Sequence, residues 1–346
     1  MSNLPRIGIT MGDASGIGPE IIVKVLSHPT TYQFCSPLVI GSVSIIQHAL
    51  QFAPHPLKIR SLEPPLDNKA VWTPPHSSYG TIDILNVGSL RPEDIPMGAV
   101  HPLAGEAAVK AIQGATQLAM SGQIDAITTA PICKFAMVQA GYDYPGHTEL
   151  LGVLTNASKA IMMLVSADEQ DAGVPLRVSF VTSHLPLAEV PAHLSTGKIL
   201  DVISVTHDAL TRFGISSPRL GVSALNPHAG ELGILGTEEA EIIIPAVEAA
   251  QTRKLSVEGP FPADMLFVNA REGRWDAVVV MYHDQGNIPI KLMGFGHVVN
   301  VTLGLPIIRT SVDHGTAFDI AGQGIASESS LIAALKFAAR LSEKEQ

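Results

Sequence analysis

The chain has 346 residues and a formal net charge of −10, which favours two domains over one core and argues against nucleic acid as a partner. Hydrophobic residues make up 46% and charged residues 16%, so there is ample apolar surface to bury and a disordered chain is excluded. The two cysteines, Cys35 and Cys133, make no disulfide framework, no leader is read at Met1–Pro5, and no apolar run approaches the roughly 18 residues of a membrane span; a cytoplasmic location with no membrane partner is expected.

In chain order, Arg6–Thr10 reads as the first strand, followed by the glycine-rich turn Gly12-Asp13-Ala14-Ser15-Gly16-Ile17-Gly18. The glycine spacing departs from Gly-x-Gly-x-x-Gly and no acid follows a second strand, so there is no Rossmann fingerprint. That turn is either an anion site at a helix N-terminus or a packing turn. Leu38–Ile40 reads as strand and Ser42–Ala49 as helix, and the proline-rich stretch Ala53–Pro75 as a surface segment with edge strands. Ala104–Ser121 is expected to be a helix and Ala126–Thr129 a strand. Beyond it, Cys133 fits an ordinary small buried residue, while Lys134 is a possible substrate contact. Ala167–Pro175 reads as an exposed hairpin loop, Glu238–Thr252 as a helix and Ser342–Gln346 as a charged, fraying tail. Alternating apolar strands and alanine-rich helices give an α/β class.

Three strand-like runs each lead to a histidine. Val178–Ser183 leads to His184, Leu220–Leu225 to Asn226-Pro227-His228, and Ala277–Val280 to Met281-Tyr282-His283-Asp284-Gln285-Gly286-Asn287-Ile288-Pro289-Ile290-Lys291. Chemistry in α/β proteins gathers where such strands end. Neutral imidazole is a common ligand for divalent metals, and three of them with an open position suit a catalytic ion. The spacing matches no short metal motif and the chain has 13 histidines, so three unrelated loop histidines fit these runs equally well.

Longer blocks add a resemblance. Thr10-Met11-Gly12-Asp13 with Gly16-Ile17-Gly18-Pro19-Glu20, Tyr144-Pro145-Gly146-His147-Thr148-Glu149, Thr182–Leu187, Leu225–Glu231, Met281–Lys291, Val299–Pro306, Arg309-Thr310-Ser311 and Asp313–Ala317 together resemble the 4-hydroxythreonine-4-phosphate dehydrogenase family. The resemblance implies a divalent metal (Zn, Mg, Co or Mn) held by His184, His228 and His283, in a homodimer whose active site is shared between subunits. It implies a small phosphorylated hydroxy acid bound by His147, Thr148, Lys291, Asn300 and Arg309. Such a set suits a phosphate ester, since Lys gives a point charge, Arg a planar fork, and Asn and Thr neutral donors. Taken singly, Lys291 and Arg309 would be a solvated lysine and a surface ion pair.

His314–Ala326 is similar to the adenosine-binding loop of isopropylmalate and isocitrate dehydrogenases, which implies NAD or NADP held partly by His314, Gly315, Thr316 and Ala317. Phe318 stands where that superfamily usually has Pro, which would alter the loop path slightly. The implied architecture is a two-domain isopropylmalate dehydrogenase-like fold with a cleft between domains. Residues 1–150 plus 300–346 would carry the cofactor loop, and 151–299 the metal ligands and dimer interface.

The implied reaction is metal- and NAD(P)-dependent oxidation of the secondary alcohol of 4-phosphooxy-L-threonine. The β-keto acid formed would decarboxylate to 3-amino-2-oxopropyl phosphate, in pyridoxal phosphate synthesis. Lys291, Asp284 or a metal-bound hydroxide would take the alcohol proton; the alternative role for Asp284 is to orient His283. Alternatives on the same scaffold are D-threonate or D-erythronate 4-phosphate, or an aromatic cis-dihydrodiol of the terephthalate type. A metal-dependent hydrolase acting without NAD is a more distant one.

Overall fold

The structure is a computed structural model that describes residues 4–63, 73–166, 175–294 and 296–345. Residues 1–157 with 305–344 form one compact unit, and residues 158–304 form a second. The chain enters the first unit with β1 (Arg6–Thr10), α1 (Gly18–Leu26), α2 (Thr31–Phe34), β2 (Ser36–Gly41), α3 (Val43–Ala49), β3 (Lys58–Leu62) and β4 (Thr81–Asn86). It continues there through α4 (Pro102–Met120), β5 (Ala126–Thr129), α5 (Lys134–Gln139) and α6 (His147–Leu154). The second unit holds β6 (Ile161–Ser166), β7 (Arg177–Phe180), α7 (Thr196–Arg212), β8 (Leu220–Ser223), α8 (Ile244–Thr252), β9 (Val257–Phe261), α9 (Ala263–Arg271), β10 (Ala277–Val280), α10 (His283–Gly294) and β11 (Val298–Leu303). The chain then returns to the first unit with β12 (Ile308–Val312) and α11 (Ser329–Glu345). Strands alternating with helices make the chain α/β, as its apolar pattern predicts.

In the first unit the strand order is β3-β4-β2-β1-β5-β12 and every neighbouring pair is parallel. Parallel strands are covered on both faces, and accordingly β2 and β5 are buried along their whole length. In the second unit the order is β11-β6-β7-β10-β8-β9; β6 runs antiparallel to both its neighbours, while β7, β10, β8 and β9 are parallel. Val178, Phe180, Leu266, Trp275, Val278 and Ile290 are among the residues of its core. Among the described residues no helix is long and apolar enough to cross a membrane.

Several local expectations need correction. The stretch after β10, expected as a site at a strand exit, is the helix α10 with Pro289 inside it. Its glycine is a packing residue: a Cβ at Gly286 would stand 2.6 Å from Val178 Cγ1 and 2.8 Å from Phe180 Cε1, so only glycine lets α10 lie this close to β7. The helix expected from Glu238 begins as a π-helical turn, Glu239–Ile243, before α8. The tail expected to fray is helical as far as Glu345, within α11. Residues 64–72, in the proline-rich stretch, and 167–174, in the expected hairpin loop, lie outside the described residues.

Candidate active site

The first unit gathers several polar side chains around a buried arginine. Arg309 lies in β12 in register with Ile127 of β5, and only 2% of its surface is exposed. Its Nη2 donates to Thr129 Oγ1 at 2.7 Å. Burial pushes the guanidinium down to about 9, and the Glu149 carboxylate opposes that shift. His147 opens α6, and its Nε2 is buried without a protein partner. Desolvation, together with the charges of Arg309 and Lys134, holds His147 well below the usual imidazole range, so it is neutral at pH 7. Thr148 follows it, half-buried, in the first turn of α6. Lys134, the first residue of α5, runs past Gly146: a Cβ there would meet its Cε at 3.5 Å. Two cations and a neutral ring thus converge beside the start of α6, a set matched to a phosphate or carboxylate.

The same unit holds the loop expected to grip a dinucleotide. His314 Nδ1 lies 3.0 Å from Gly315 O, Thr316 O accepts from Ile17 N at 3.0 Å, and Ala317 has φ 44°. A Cβ on Gly16 would come within 2.8 Å of Thr316 O, so the glycine-rich turn after β1 fits against this loop only without a side chain. Farther along, the loop is pinned to α1 by a buried ion pair. Lys24 Nζ donates to Glu20 Oε1 (2.9 Å), Gly324 O (2.9 Å) and Ala326 O (2.7 Å), while Ala326 N donates to Glu20 Oε1 (2.9 Å). A cavity of about 360 Å³ lies beside it, lined by Ala14, Gly16, Ile45, Phe52, Met97 and Gly322 among others. Apolar walls and that volume suit a planar ring system.

In the second unit, β7, β10 and β8 are adjacent and parallel, so the segments following their C-terminal ends start from the same edge. The pairing of β7 with β10 continues past the strands. Val181 N donates to Val280 O (2.9 Å), Thr182 N to Met281 O (3.2 Å) and Thr182 Oγ1 to Met281 O (2.7 Å). This brings His184 and His283 together with ring centroids 5.9 Å apart. Gln285 ties in the third exit: its Oε1 accepts from Met281 N and its Nε2 donates to Ala224 O, both at 2.7 Å. His283 places Nδ1 2.7 Å from Asp284 Oδ1, and His228 places Nδ1 3.0 Å from Glu231 Oε2. In each case a carboxylate stands against Nδ1, as the orienting partners of metal-bound histidines do.

His228 does not complete a group with the other two. Among the described residues no three histidine, cysteine or carboxylate side chains gather as a metal site within one chain. The imidazole of His228 is 72% exposed, on a turn whose following residues include the exposed Leu232, Ile234 and Leu235. Lys291 lies on α10 eight positions beyond His283, roughly 12 Å along the axis and near the same face. Asn300 sits half-buried in β11 opposite Leu164. Two contributors have no role assigned in the motif blocks: Thr129, which accepts from Arg309, and Gln285, which bridges Met281 N and Ala224 O. Only the doubled threonine at the end of the buried strand β5 hinted at one of them.

In class, this is an α/β dehydrogenase. The chain is 48% identical over 342 residues to the D-threonate 4-phosphate dehydrogenase of Cupriavidus necator, covering 99% of this chain and 98% of that one. It is also 48% identical over 338 residues to the 4-hydroxythreonine-4-phosphate dehydrogenase of Desulforapulum autotrophicum, covering 97% and 95%. The crystal structure of a 4-hydroxythreonine-4-phosphate dehydrogenase from Burkholderia phymatum superposes with a TM-score of 0.81 at 46% identity, over 98% of both chains. The model of the pyridoxal phosphate biosynthetic protein PdxA family matches residues 33–338, and the chain belongs to that family.

Proposed function

We propose that the protein oxidises the secondary alcohol of 4-phosphooxy-L-threonine with NAD or NADP and a divalent metal. The β-keto acid formed loses carbon dioxide to give 3-amino-2-oxopropyl phosphate. The observation that carries the reading is the His184–His283 pair at the exits of neighbouring parallel strands.

The donor chemistry fits a divalent ion. Two imidazole rings stand 5.9 Å apart, and His228 presents a third with its Nδ1 already engaged. His184, His283 and His228 would hold the metal, which when bound supplies Lewis acidity to the alcohol under oxidation. Asp284 would orient His283 through its 2.7 Å contact, and the alcohol proton would pass to Lys291 or to a metal-bound hydroxide. Arg309, Lys134, His147 and Thr148 bind and orient the phosphate, and Asn300 adds a neutral donor. The nicotinamide cofactor supplies the electron acceptor; the backbone from His314 to Ala317 would hold its adenosine end, with the neighbouring cavity for the base.

His228 and the exposed Leu232, Ile234 and Leu235 beside it suit coverage by a second copy of the chain. The reading therefore includes a homodimer in which the partner completes each metal set.

The second reading, D-threonate 4-phosphate as substrate, is favoured by the relative from Cupriavidus necator, which is as similar as the one from Desulforapulum autotrophicum. Nicotinamide reduction by the purified protein, with each substrate and with and without chelator, separates the two. Chelator-sensitive turnover of 4-phosphooxy-L-threonine is expected. Turnover of D-threonate 4-phosphate alone keeps the chemistry and replaces the substrate. Reduction unaffected by metal removal overturns the metal role.

A further inference from the structure

His228 stands on an unusual backbone. His228, Ala229, Gly230, Glu231 and Leu232 all have positive φ, between 42° and 76°. L-residues avoid this region because Cβ crowds the following carbonyl, and a run of them persists only where the surroundings over-determine it. The surroundings here are dominated by one side chain. Glu239 is buried, and its Oε1 accepts from Leu225 N (2.9 Å) and Asn226 N (2.7 Å) while Oε2 accepts from Asn226 Nδ2 (3.0 Å). Asn226 Nδ2 also donates to Glu238 Oε2 at 2.7 Å. Two glycines pack tightly against Glu239 and Asn226. A Cβ at Gly230 would lie 2.7 Å from Glu239 Oε2, and one at Gly236 would lie 2.5 Å from Asn226 Nδ2.

The element that delivers Glu239 is itself irregular. Glu239–Ile243 is a π-helical turn, and it buries both Glu239 and Ile243. Such turns are uncommon and recur at functional sites. Nothing in the packing of α8 requires a carboxylate at this position, whereas two backbone N–H groups and an amide on the approach to His228 do.

We propose that Glu239 is a positioning residue for His228: its carboxylate fixes Leu225 and Asn226 and thereby sets the left-handed turn that presents the imidazole to a divalent metal. The proposal rests on the metal reading given above, and extends it to a residue that never touches the ion.

The test is Co²⁺ binding to the full-length, metal-stripped protein, measured by calorimetry and by the visible spectrum of the bound ion, with thermal unfolding recorded alongside. Glu239→Ala is expected to weaken Co²⁺ binding about 10- to 100-fold, the range seen when an orienting partner of a ligand is lost, and to change the spectrum. Glu239→Gln keeps an oxygen for the two backbone donors and should bind within about threefold of wild type, since one uncharged acceptor preserves the turn. Glu248→Ala, on the exposed side of α8, should bind Co²⁺ unchanged. A folded Glu239→Ala with wild-type affinity and spectrum overturns the proposal, provided His228→Ala binds weakly. Should His228→Ala bind as well as wild type, the metal reading itself fails and the proposal with it. If Glu239→Ala does not fold, Glu239→Asp decides: its shorter reach should weaken Co²⁺ several-fold, and unchanged affinity is again fatal.

Discussion

Arg309 and Asp13 are both buried ionisable side chains with opposite consequences. Arg309 belongs to a set of groups that an anion would satisfy, and its guanidinium offers a fork that Lys lacks. Hydrogen bonds to charged groups contribute roughly 1.5–3 kcal/mol, so Arg309→Lys should raise KM for the phosphorylated substrate about tenfold to a hundredfold with a smaller effect on kcat. Steady-state kinetics would show it, and an unchanged KM would remove Arg309 from the phosphate site. Asp13 follows β1, fully buried, and burial pushes its carboxyl up to about 6 against the bond it accepts from Ser15 N. Its Oδ2 has no partner among the described residues. Because its folded value lies above its unfolded value of 3.8, the folded state binds more protons between the two. Stability is therefore lost as pH rises through that window, and the cost is fully present above about pH 6. At roughly 1.4 kcal/mol per tenfold change it amounts to about 3 kcal/mol. Asp13→Asn should raise the unfolding free energy at pH 8 by about 1–3 kcal/mol, and the gain should vanish near pH 4. Urea unfolding at the two pH values measures the difference.

At the scale of elements, what could be read depended on whether local pattern or tertiary contact decided the conformation. β1, β2, β5 and β10 are short apolar runs bounded by turn residues, and their positions follow directly from that pattern. Histidines at three strand exits were visible for the same reason. Hidden was α10, where Gly286 and Pro289 argue against a helix and close packing on β7 overrides them. The left-handed turn at His228 was hidden too, since four of its five residues are not glycine. Thr129 meets Arg309, and Gln285 bridges two strand exits, through contacts that no spacing rule encodes. The packing of α10 gives a direct test. Gly286→Ala would gain about 1 kcal/mol of helix propensity but forces a methyl group into Val178 and Phe180, and overpacking of this kind costs about 1–3 kcal/mol. The contacts are with core residues on a strand, so destabilisation should win; a stabilised variant in chemical denaturation would show that α10 can shift.

For the whole molecule, the decisive question is how many copies make a complete metal set. His184 and His283 meet within one chain, and His228 stands apart from them. If a second copy supplies the missing ring, His184→Ala and His228→Ala should each be inactive, and mixing the two after subunit exchange should restore part of the activity. Persistent inactivity in mixtures shown to contain mixed dimers would count against sharing. Leu232→Asp should shift the protein toward monomer in sedimentation analysis while leaving its thermal transition within a few degrees, because a fully exposed side chain contributes little to one chain's own core.

The order in which the chain is threaded bears on its synthesis. The second unit is one continuous segment, 158–304, whereas the first lacks β12 and α11 until the last of the chain emerges. A ribosome making the protein from its N-terminus therefore finishes the second unit while the first still has β5 without its neighbour β12. An unpaired strand edge of this kind is prone to wrong partners. A fragment ending at residue 304 and released from the ribosome should thus show a protease-resistant second unit and a susceptible first one, and the segment that brings Arg309 is also the one that closes the edge.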